Sequence, residues 1–481
     1  MAALSSFAGE LWLDPSGLRK KVLTRWQEYF PKFPEQIVGK RSKEIKSLFR
    51  TSYRSGESKQ NYLREVRELA SLSEPIAKSK SDPVEGEPRP LLLVNNCLPF
   101  TQSGYTIRTQ SLMKAVVDEG VEVIVTPRNA YPLSVGKFAS SQSYQINGVR
   151  YLLQIPWVNY RDYRRSLELK ISELREIAIQ HRATVIHTTT GTLNAVVASR
   201  VAAELGIPWI YEVRGEPYNT WLSRQPEETK HQAEKSALYA AMQEYEKRAV
   251  TSASQVISLS EISKKKLIEM GAKPAAVTVL PNSIDKSILD TSVHNPEESR
   301  TSLGLVEGPI IACISSIVAY EGIDDLVRAA TVLPSHIHIY IIGEGEERPY
   351  LMSLARELGV EDRLVFTGRV SFEQVRLWYQ SIDVFILPRR DEEVCRGVTP
   401  LKPLEALAYR VPIVASDLPA IREVTGGCGV FYPPGDWRAL SVAILSVLEQ
   451  GGPTAEDEWL EKRTWSSRAG ELQKIYRGSI D

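Results

Sequence analysis

Lys402 and Glu405 are the two residues whose types and spacing most directly suggest chemistry. They lie in Val398-Thr-Pro-Leu-Lys402-Pro-Leu-Glu405-Ala-Leu-Ala-Tyr-Arg-Val-Pro412-Ile-Val-Ala-Ser-Asp417, which reads as a loop, a short helix, a turn and a buried strand. Pro400 and Pro403 suit a first helical turn, where a missing N–H costs little, and Thr399 is a candidate cap. Positions three apart share a helix face. A helix start adds free N–H groups and a partial positive charge. A cation, a carboxylate and free amides at one point suit a ligand that carries both phosphate and hydroxyls. A solvated helix face with an incidental charge pair would show the same spacing.

The elements that must position this pair follow a repeating pattern. From Leu91 onward, short apolar runs alternate with helix-length amphipathic segments, the signature of strand–helix–strand units on a parallel sheet. Strands are expected at 91–95, 121–126, 184–188, 208–213, 255–259 and 277–280, with helices at 104–119, 166–180, 191–205, 230–250 and 261–270. The pattern then restarts, with strands at 309–317, 337–342, 363–367, 383–387, 411–415 and 428–431. Helices are expected between them near 322–332, 346–358, 371–380, 401–409 and 436–449. Two successive doubly wound α/β domains are the simplest solution, 91–285 and 300–454, joined near Asn282–Arg300. A final helical segment covers 455–481, with Trp459, Trp465, Leu472 and Tyr476 on it.

Ligands of such sheets sit beyond the carboxyl ends of the strands. That rule selects Ser103, Gly104 and Tyr105 after the first strand, and Glu212, Arg214 and Glu216 after another. In the second domain it selects Gly343 and Gly345, then Arg389 and Arg390, ahead of the Lys402 stretch.

The totals set outer limits. A chain of 481 residues exceeds one ordinary core. With 43% apolar and 25% charged residues and a net charge of zero, the composition is that of a soluble globular protein and argues against a broad nucleic-acid surface. Cys97, Cys313, Cys395 and Cys428 form no paired motif, which points to a reducing compartment and no structural zinc. The first residues lack a signal-peptide pattern, and no apolar run is long enough to span a bilayer. A cytoplasmic location follows as the expectation. Residues 1–77 read as a separate helical extension, with an apolar stripe at Leu18, Val22, Trp26 and Phe30. A basic run follows at Arg41, Lys43, Lys46, Arg50 and Arg54; it reads either as a solvated face or as a peripheral contact with anionic membrane. Residues 78–90 read as a linker.

Collinear motifs across about 90–450 make the chain resemble the retaining, sugar-nucleotide-dependent glycosyltransferases of family four, which have the GT-B fold. The residues concerned are Val185-Ile-His187-Thr, Ile210-Tyr-Glu-Val-Arg214-Gly215, Leu280-Pro-Asn282-Ser-Ile-Asp285, Ile342-Gly-Glu-Gly345, Val365-Phe-Thr-Gly368 and Asp383-Val-Phe-Ile-Leu-Pro388. Pro403-Leu-Glu405-Ala and Pro412-Ile-Val-Ala-Ser-Asp417 complete the set, and Tyr-Glu-Gly with Thr-Pro-Leu-Lys-Pro-Leu-Glu-Ala points to one branch. The resemblance implies two Rossmann-like domains facing a cleft, a donor on the second domain, an acceptor on the first and a C-terminal helix crossing back to the first.

The family pattern is also broken in places. Its diphosphate-binding Arg and Lys fall on Ser316 and Glu321, the first Glu of its Glu-seven-Glu motif falls on Gly397, and a common histidine is replaced by Arg214. Lys402 and Arg389 are therefore the candidate cations for the diphosphate, with Arg390 and Arg396 behind them, because leaving-group charge must be neutralised. Glu405 is expected to accept ribose hydroxyls, and Gly343, Gly345, Arg369, Thr399 and Leu401 to complete the donor site. Ser103, Gly104, Tyr105, His187, Glu212 and Glu216 are expected on the acceptor or phosphate side, with Arg214 among the catalytic candidates. No Asp-x-Asp occurs, so neither a metal nor another cofactor is expected. Uridine diphosphate is the commonest carrier in the family. The expected function is sugar transfer from a nucleotide sugar to a glycan or glycolipid hydroxyl, with retention. A non-catalytic binding or scaffolding subunit and a sugar-nucleotide epimerase are the alternatives.

Overall fold

The computed structural model describes residues 57–79, 86–137, 139–156, 162–289 and 296–480. The apolar stripe at Leu18–Phe30 and the basic run at Arg41–Arg54 lie outside these residues. A helix at Glu57–Ser71 is the first described element, and its Val66 and Leu69 are fully buried.

The first sheet contains β1 Pro90–Val94, β2 Ile124–Pro127, β3 Ser143–Ile146, β4 Val149–Leu152, β5 Val185–Thr189, β6 Trp209–Val213, β7 Gln255–Ser258 and β8 Val277–Val279. Their order is β3-β4-β2-β1-β5-β6-β7-β8. β1 pairs in parallel on both sides, with Leu91 opposite Ile124 in β2 and opposite Ile186 in β5. Every residue of β1, β5 and β6 is buried, as expected for inner strands covered on both faces. The β3–β4 hairpin is the antiparallel exception. It turns through Asn147 and Gly148, both at positive φ (46° and 84°), the pairing that a two-residue hairpin turn favours. Helix Gly104–Asp118 starts with a capping box between Ser103 and Thr106.

The second sheet contains β9 Ile310–Ile314, β10 His338–Ile342, β11 Leu364–Gly368, β12 Val384–Leu387, β13 Ile413–Ser416 and β14 Val430–Tyr432. Their order is β11-β10-β9-β12-β13-β14. Ile310 faces His338, and Phe385 lies between Ala312 and Ile413. The chain runs outward from β9 through β10 to β11, then returns to the other side of β9 for β12. The switch point therefore lies between β9 and β12, where a doubly wound sheet opens a crevice for ligand. In the first sheet the corresponding point lies between β1 and β5.

The chain divides into two compact units, 1–212 with 236–256 and 473–481, and 213–235 with 257–472. Polar contacts inside the second unit tie 213–235 and 257–289 to later residues. Lys230 pairs with Glu392 at 2.7 Å, Lys266 with Glu393 at 3.3 Å, and Asn282 donates to the Thr399 carbonyl at 3.0 Å. Helix Trp465–Ile480 begins in the second unit and ends in the first. Among the described residues no helix is long and apolar enough to cross a membrane.

Candidate functional site

The loops that leave β9 and β12 carry the principal charge cluster of the second unit. The β9 loop supplies Ser315 and Glu321, the β12 loop Arg389, and the helix Lys402–Ala408 supplies Lys402 and Glu405. The fold brings these loops together through glycine. Gly322 has φ +65°, and a Cβ there would lie 1.9 Å from the Pro388 carbonyl oxygen, so only glycine allows the Tyr320-Glu321-Gly322 turn to press on the loop of Arg389. Gly343 and Gly345 play the same part for the β10 loop, where a Cβ would lie 1.8 Å from the Ser315 oxygen and 2.0 Å from the Ile317 oxygen. These two residues thus have a packing reason independent of any ligand.

Glu321 is not a lost cation standing idle. Arg389 donates from Nη2 to Glu321 Oε1 at 2.8 Å and from Nη1 to the Val398 carbonyl at 3.3 Å. Both side chains are buried. Burial pushes the Glu321 carboxyl up, but the Arg389 and Lys402 charges outweigh it and hold the group below the ordinary carboxylate range. Burial would lower Arg389, yet the Glu321 carboxylate holds it firmly protonated.

Lys402 and Glu405 have neutral partners instead. Lys402 Nζ donates to Ser315 Oγ at 2.7 Å. Tyr379 donates its hydroxyl to Glu405 Oε2 at 3.1 Å and to the Lys402 carbonyl at 3.2 Å. Burial lowers the Lys402 ammonium, against the pull of Glu321. Burial raises the Glu405 carboxyl, against Tyr379 and Lys402. Two oppositely charged groups, each held by a hydroxyl, retain hydrogen-bonding capacity for a ligand carrying anion and hydroxyl together.

The remaining expected donor-site residues fall less centrally. Arg390 is engaged by Asp324, and lies 3.6 Å from Asp325, so its charge is already balanced. Arg396 pairs with Asp391. Arg369 is exposed, and Leu401 is half-buried. Thr399 does not cap the helix: Leu401 occupies that position without a side-chain bond, and the Thr399 hydroxyl is buried with no partner. Pro403, not Pro400, lies in the first turn.

Arg214 and Glu216 also belong to the second unit and are buried. Lys266 reaches Glu216 at 3.3 Å, and burial raises the Glu216 carboxyl against that cation.

The first unit holds its own polar network. Arg108 reaches Glu212 Oε1 from Nη2 at 2.8 Å and donates to it from Nε at 2.9 Å. His187 Nε2 lies 3.4 Å from Glu212 Oε2, and His187 Nδ1 lies 2.9 Å from the Tyr476 hydroxyl. All four residues are at most 1% exposed. Gly104 and Tyr105 are exposed at the helix start beside Ser103, Tyr105 by 54%. At the switch point Asn95 donates to the Thr190 carbonyl at 2.8 Å and accepts from Asn194 at 3.0 Å.

Sequence reasoning did not select Arg108, Ser315, Tyr379 or Tyr476. Arg108 lies four residues beyond Gly104, one helical turn into the element that the glycine opens, so spacing alone was able to flag it. The others are partners across long sequence separations and leave no local signal. Among the described residues no group of three or more His, Cys, Asp or Glu is placed to hold a metal ion.

Comparisons with known proteins identify the family and the fold. Residues 103–283 match the family model for a glycosyl transferase 4-like domain, and residues 308–450 match that for glycosyl transferases group 1. The lipopolysaccharide core biosynthesis mannosyltransferase LpcC of Rhizobium leguminosarum is 30% identical over 36% of this chain and 49% of its own length. The GDP-mannose-dependent α-(1-6)-phosphatidylinositol monomannoside mannosyltransferase of Mycolicibacterium smegmatis is 26% identical over 48% of this chain and 64% of its own. An uncharacterized glycosyltransferase of Methanocaldococcus jannaschii is 27% identical over 47% and 60%. The alignment with each spans less than two-thirds of the relative's length.

Among solved structures, the sucrose-phosphate synthase of Thermosynechococcus elongatus superposes with TM-score 0.65 at 19% identity, over 81% of this chain and 98% of that one. HepE of Anabaena, in complex with UDP and glucose, superposes with TM-score 0.58 at 18% identity, over 82% and 96%. These likenesses carry the fold, two parallel-sheet Rossmann-like domains of GT-B type. Because the two family models follow one another along the chain and together take in more than half of its 481 residues, the protein belongs to the group 1, 4-like glycosyltransferases.

Proposed function

We propose that the protein transfers a sugar, with retention, from a nucleotide-sugar donor lodged on the second unit to a glycan or glycolipid hydroxyl. The observation that carries this reading is the state of Lys402 at the β9–β12 switch point. Glu321 balances Arg389, so Lys402 is the cation left on a neutral partner, Ser315 Oγ at 2.7 Å. A donor diphosphate brings negative charge into direct contact with this ammonium, which feels Glu321 only through space. Charge on the departing diphosphate grows as the bond to the sugar breaks, and a pre-positioned cation stabilises that change. Glu405 accepts ribose hydroxyls, oriented by Tyr379. Arg389 supports the Val398 carbonyl and adds positive potential without leaving Glu321.

In the transfer step the sugar's bond to the diphosphate oxygen breaks with its electron pair, and a bond forms from the anomeric carbon to the acceptor oxygen on the same face. The acceptor proton passes to the leaving phosphate. No divalent metal and no other cofactor is required in this scheme. The relatives named above are glycosyltransferases, which supports transfer over a scaffolding or epimerase role. HepE was solved with UDP and glucose, which makes a UDP-linked donor the first to try.

The test is a thermal-shift panel of nucleotide sugars in EDTA, followed by anomeric analysis of the product. Ligand that binds only the native state raises apparent stability by about 2.7 kcal/mol at a concentration of about 100 times Kd. One nucleotide sugar is expected to raise Tm and to be consumed in the presence of acceptor. A flat panel, or turnover abolished by chelator, overturns the reading.

A further inference from the structure

Glu216 lies in surroundings that the charge cluster does not explain. It precedes the helix Pro217–Leu222 and is 7% exposed. Asn219 donates to its Oε2, and Lys266 donates to its Oε1 at 3.3 Å. Lys266 is shared with Glu393, also at 3.3 Å. Against this carboxylate lies Gly397, the last residue of the helix Glu393–Gly397. A Cβ at Gly397 would stand 2.5 Å from Glu216 Oε1, 2.8 Å from Lys266 Nζ and 3.3 Å from Glu216 Cδ. A side chain at 397 and the Glu216 carboxylate therefore compete for one volume. The family pattern carries a glutamate at this position. In this chain the carboxylate in that volume arrives from elsewhere in the sequence.

Its place relative to the charge cluster is fixed by the chain. Val398, next after Gly397, gives its carbonyl to Arg389 Nη1 at 3.3 Å, and consecutive Cα atoms are about 3.8 Å apart. The sugar of a nucleotide sugar is bonded directly to the diphosphate. A diphosphate on the Lys402–Arg389 cluster thus brings sugar hydroxyls into reach of the neighbouring residue. An ionised carboxylate accepts at about four lone-pair sites, more than Asn219 and Lys266 occupy.

We propose that Glu216 determines donor specificity by accepting hydrogen bonds from hydroxyls of the transferred sugar, in the volume that Gly397 leaves open. This rests on the donor reading above. It reassigns Glu216 from the acceptor side to the donor sugar.

Titration calorimetry on the full chain tests it, with the nucleotide sugar selected by the panel and with its nucleoside diphosphate alone. Glu216→Gln is expected to weaken the nucleotide sugar by about 10- to 100-fold, the range of a charge-assisted hydrogen bond. Its binding of the nucleoside diphosphate stays at wild type, which also shows that the variant is folded. Glu216→Ala combined with Gly397→Glu returns a carboxylate to the same volume and is expected to recover at least part of the sugar-dependent affinity. Equal loss for both ligands shows a structural ion pair and overturns the proposal, as does unchanged sugar binding. If the wild type binds the diphosphate and the sugar adds nothing to it, Glu216 has no sugar to contact and the proposal falls while the phosphate site stands. If the wild type binds neither, the donor reading falls and takes the proposal with it.

Discussion

The two units place buried charge in contrasting ways. In the first, Glu212 has Arg108 on one oxygen at 2.8 Å and His187 beside the other at 3.4 Å, and none of the three is more than 1% exposed. Charge there is enclosed by charge. In the second, Glu321 and Arg389 form a buried pair, while Lys402 and Glu405 have a serine and a tyrosine hydroxyl as partners. A closed network holds the fold and is costly to open. A network held by neutral hydroxyls retains capacity for a charged ligand. The contrast assigns stability to Glu212 and binding to Lys402, and substitution separates the two.

The largest effect is expected at Glu212. Glu212→Ala removes the carboxylate that the buried Arg108 guanidinium reaches from Nη2 and Nε, and breaking a buried ion pair by removing one member typically costs about 3–5 kcal/mol. For a unit of this size that corresponds to a loss of roughly 10 °C in Tm, measured by thermal denaturation. Lys402→Met is expected to do the opposite. Tm shifts by no more than about 2 °C, while donor affinity falls by at least about tenfold, the loss of a contact worth about 1.5–3 kcal/mol. If the two variants exchange these phenotypes, the contrast is wrong.

Much of this contrast was legible in residue types, but not all of it. Continuous apolar runs such as Pro90–Val94 and Ile310–Ile314 marked inner strands, since burial on both faces removes polar alternation. The β3–β4 hairpin went unread, although Asn147-Gly148 is a strong turn signal, because its strands Ser-Tyr-Gln-Ile and Val-Arg-Tyr-Leu are short and partly exposed. One helix expected over 230–250 is divided where Ser236 caps Ala237–Ser252. At the site, Lys402, Arg389 and Glu405 stood out because loops after strand ends bind ligands. The meaning of Glu321 did not, because its partner Arg389 lies 68 residues away. Read alone, Glu321 is a carboxylate where a cation belongs. In the fold it is what leaves Lys402 as the cation on a neutral partner.

Protonation sharpens the contrast inside the second unit. The Glu405 carboxyl is raised by burial. The folded state then binds its proton more tightly than the unfolded chain does, so stability falls as pH rises from the unfolded value toward the folded one, and the penalty persists above it. Glu405→Gln is therefore expected to raise Tm at pH 7 by a few degrees, and to lose this advantage below about pH 4.5. Glu321 is lowered, by Arg389 and Lys402 against burial. Its contribution is present above the unfolded value and is lost as pH falls through the folded one. Glu321→Gln is expected to lower Tm at neutral pH and to converge on the wild type in acid. Melting curves from pH 3.5 to 8 on the two variants read both signs. Two curves of the same sign would show that the carboxylates share one environment.

The smallest effect separates the regions at a single hydroxyl in each. Tyr476→Phe removes the partner of His187 Nδ1, and Tyr379→Phe removes the donor to Glu405. Each loss is worth about 1 kcal/mol, or roughly 2–4 °C in Tm, so stability alone cannot tell them apart. Donor affinity can. The His187–Tyr476 bond lies in the closed network, and nucleotide binding is expected to be unchanged in Tyr476→Phe. Tyr379 orients the Glu405 carboxylate, and Tyr379→Phe is expected to weaken nucleoside diphosphate binding by about threefold or more, a share of one neutral hydrogen bond. Calorimetry on both variants decides it: equal affinities would mean that the tyrosine at Glu405 holds the fold, as Tyr476 does, and that the donor does not need its help.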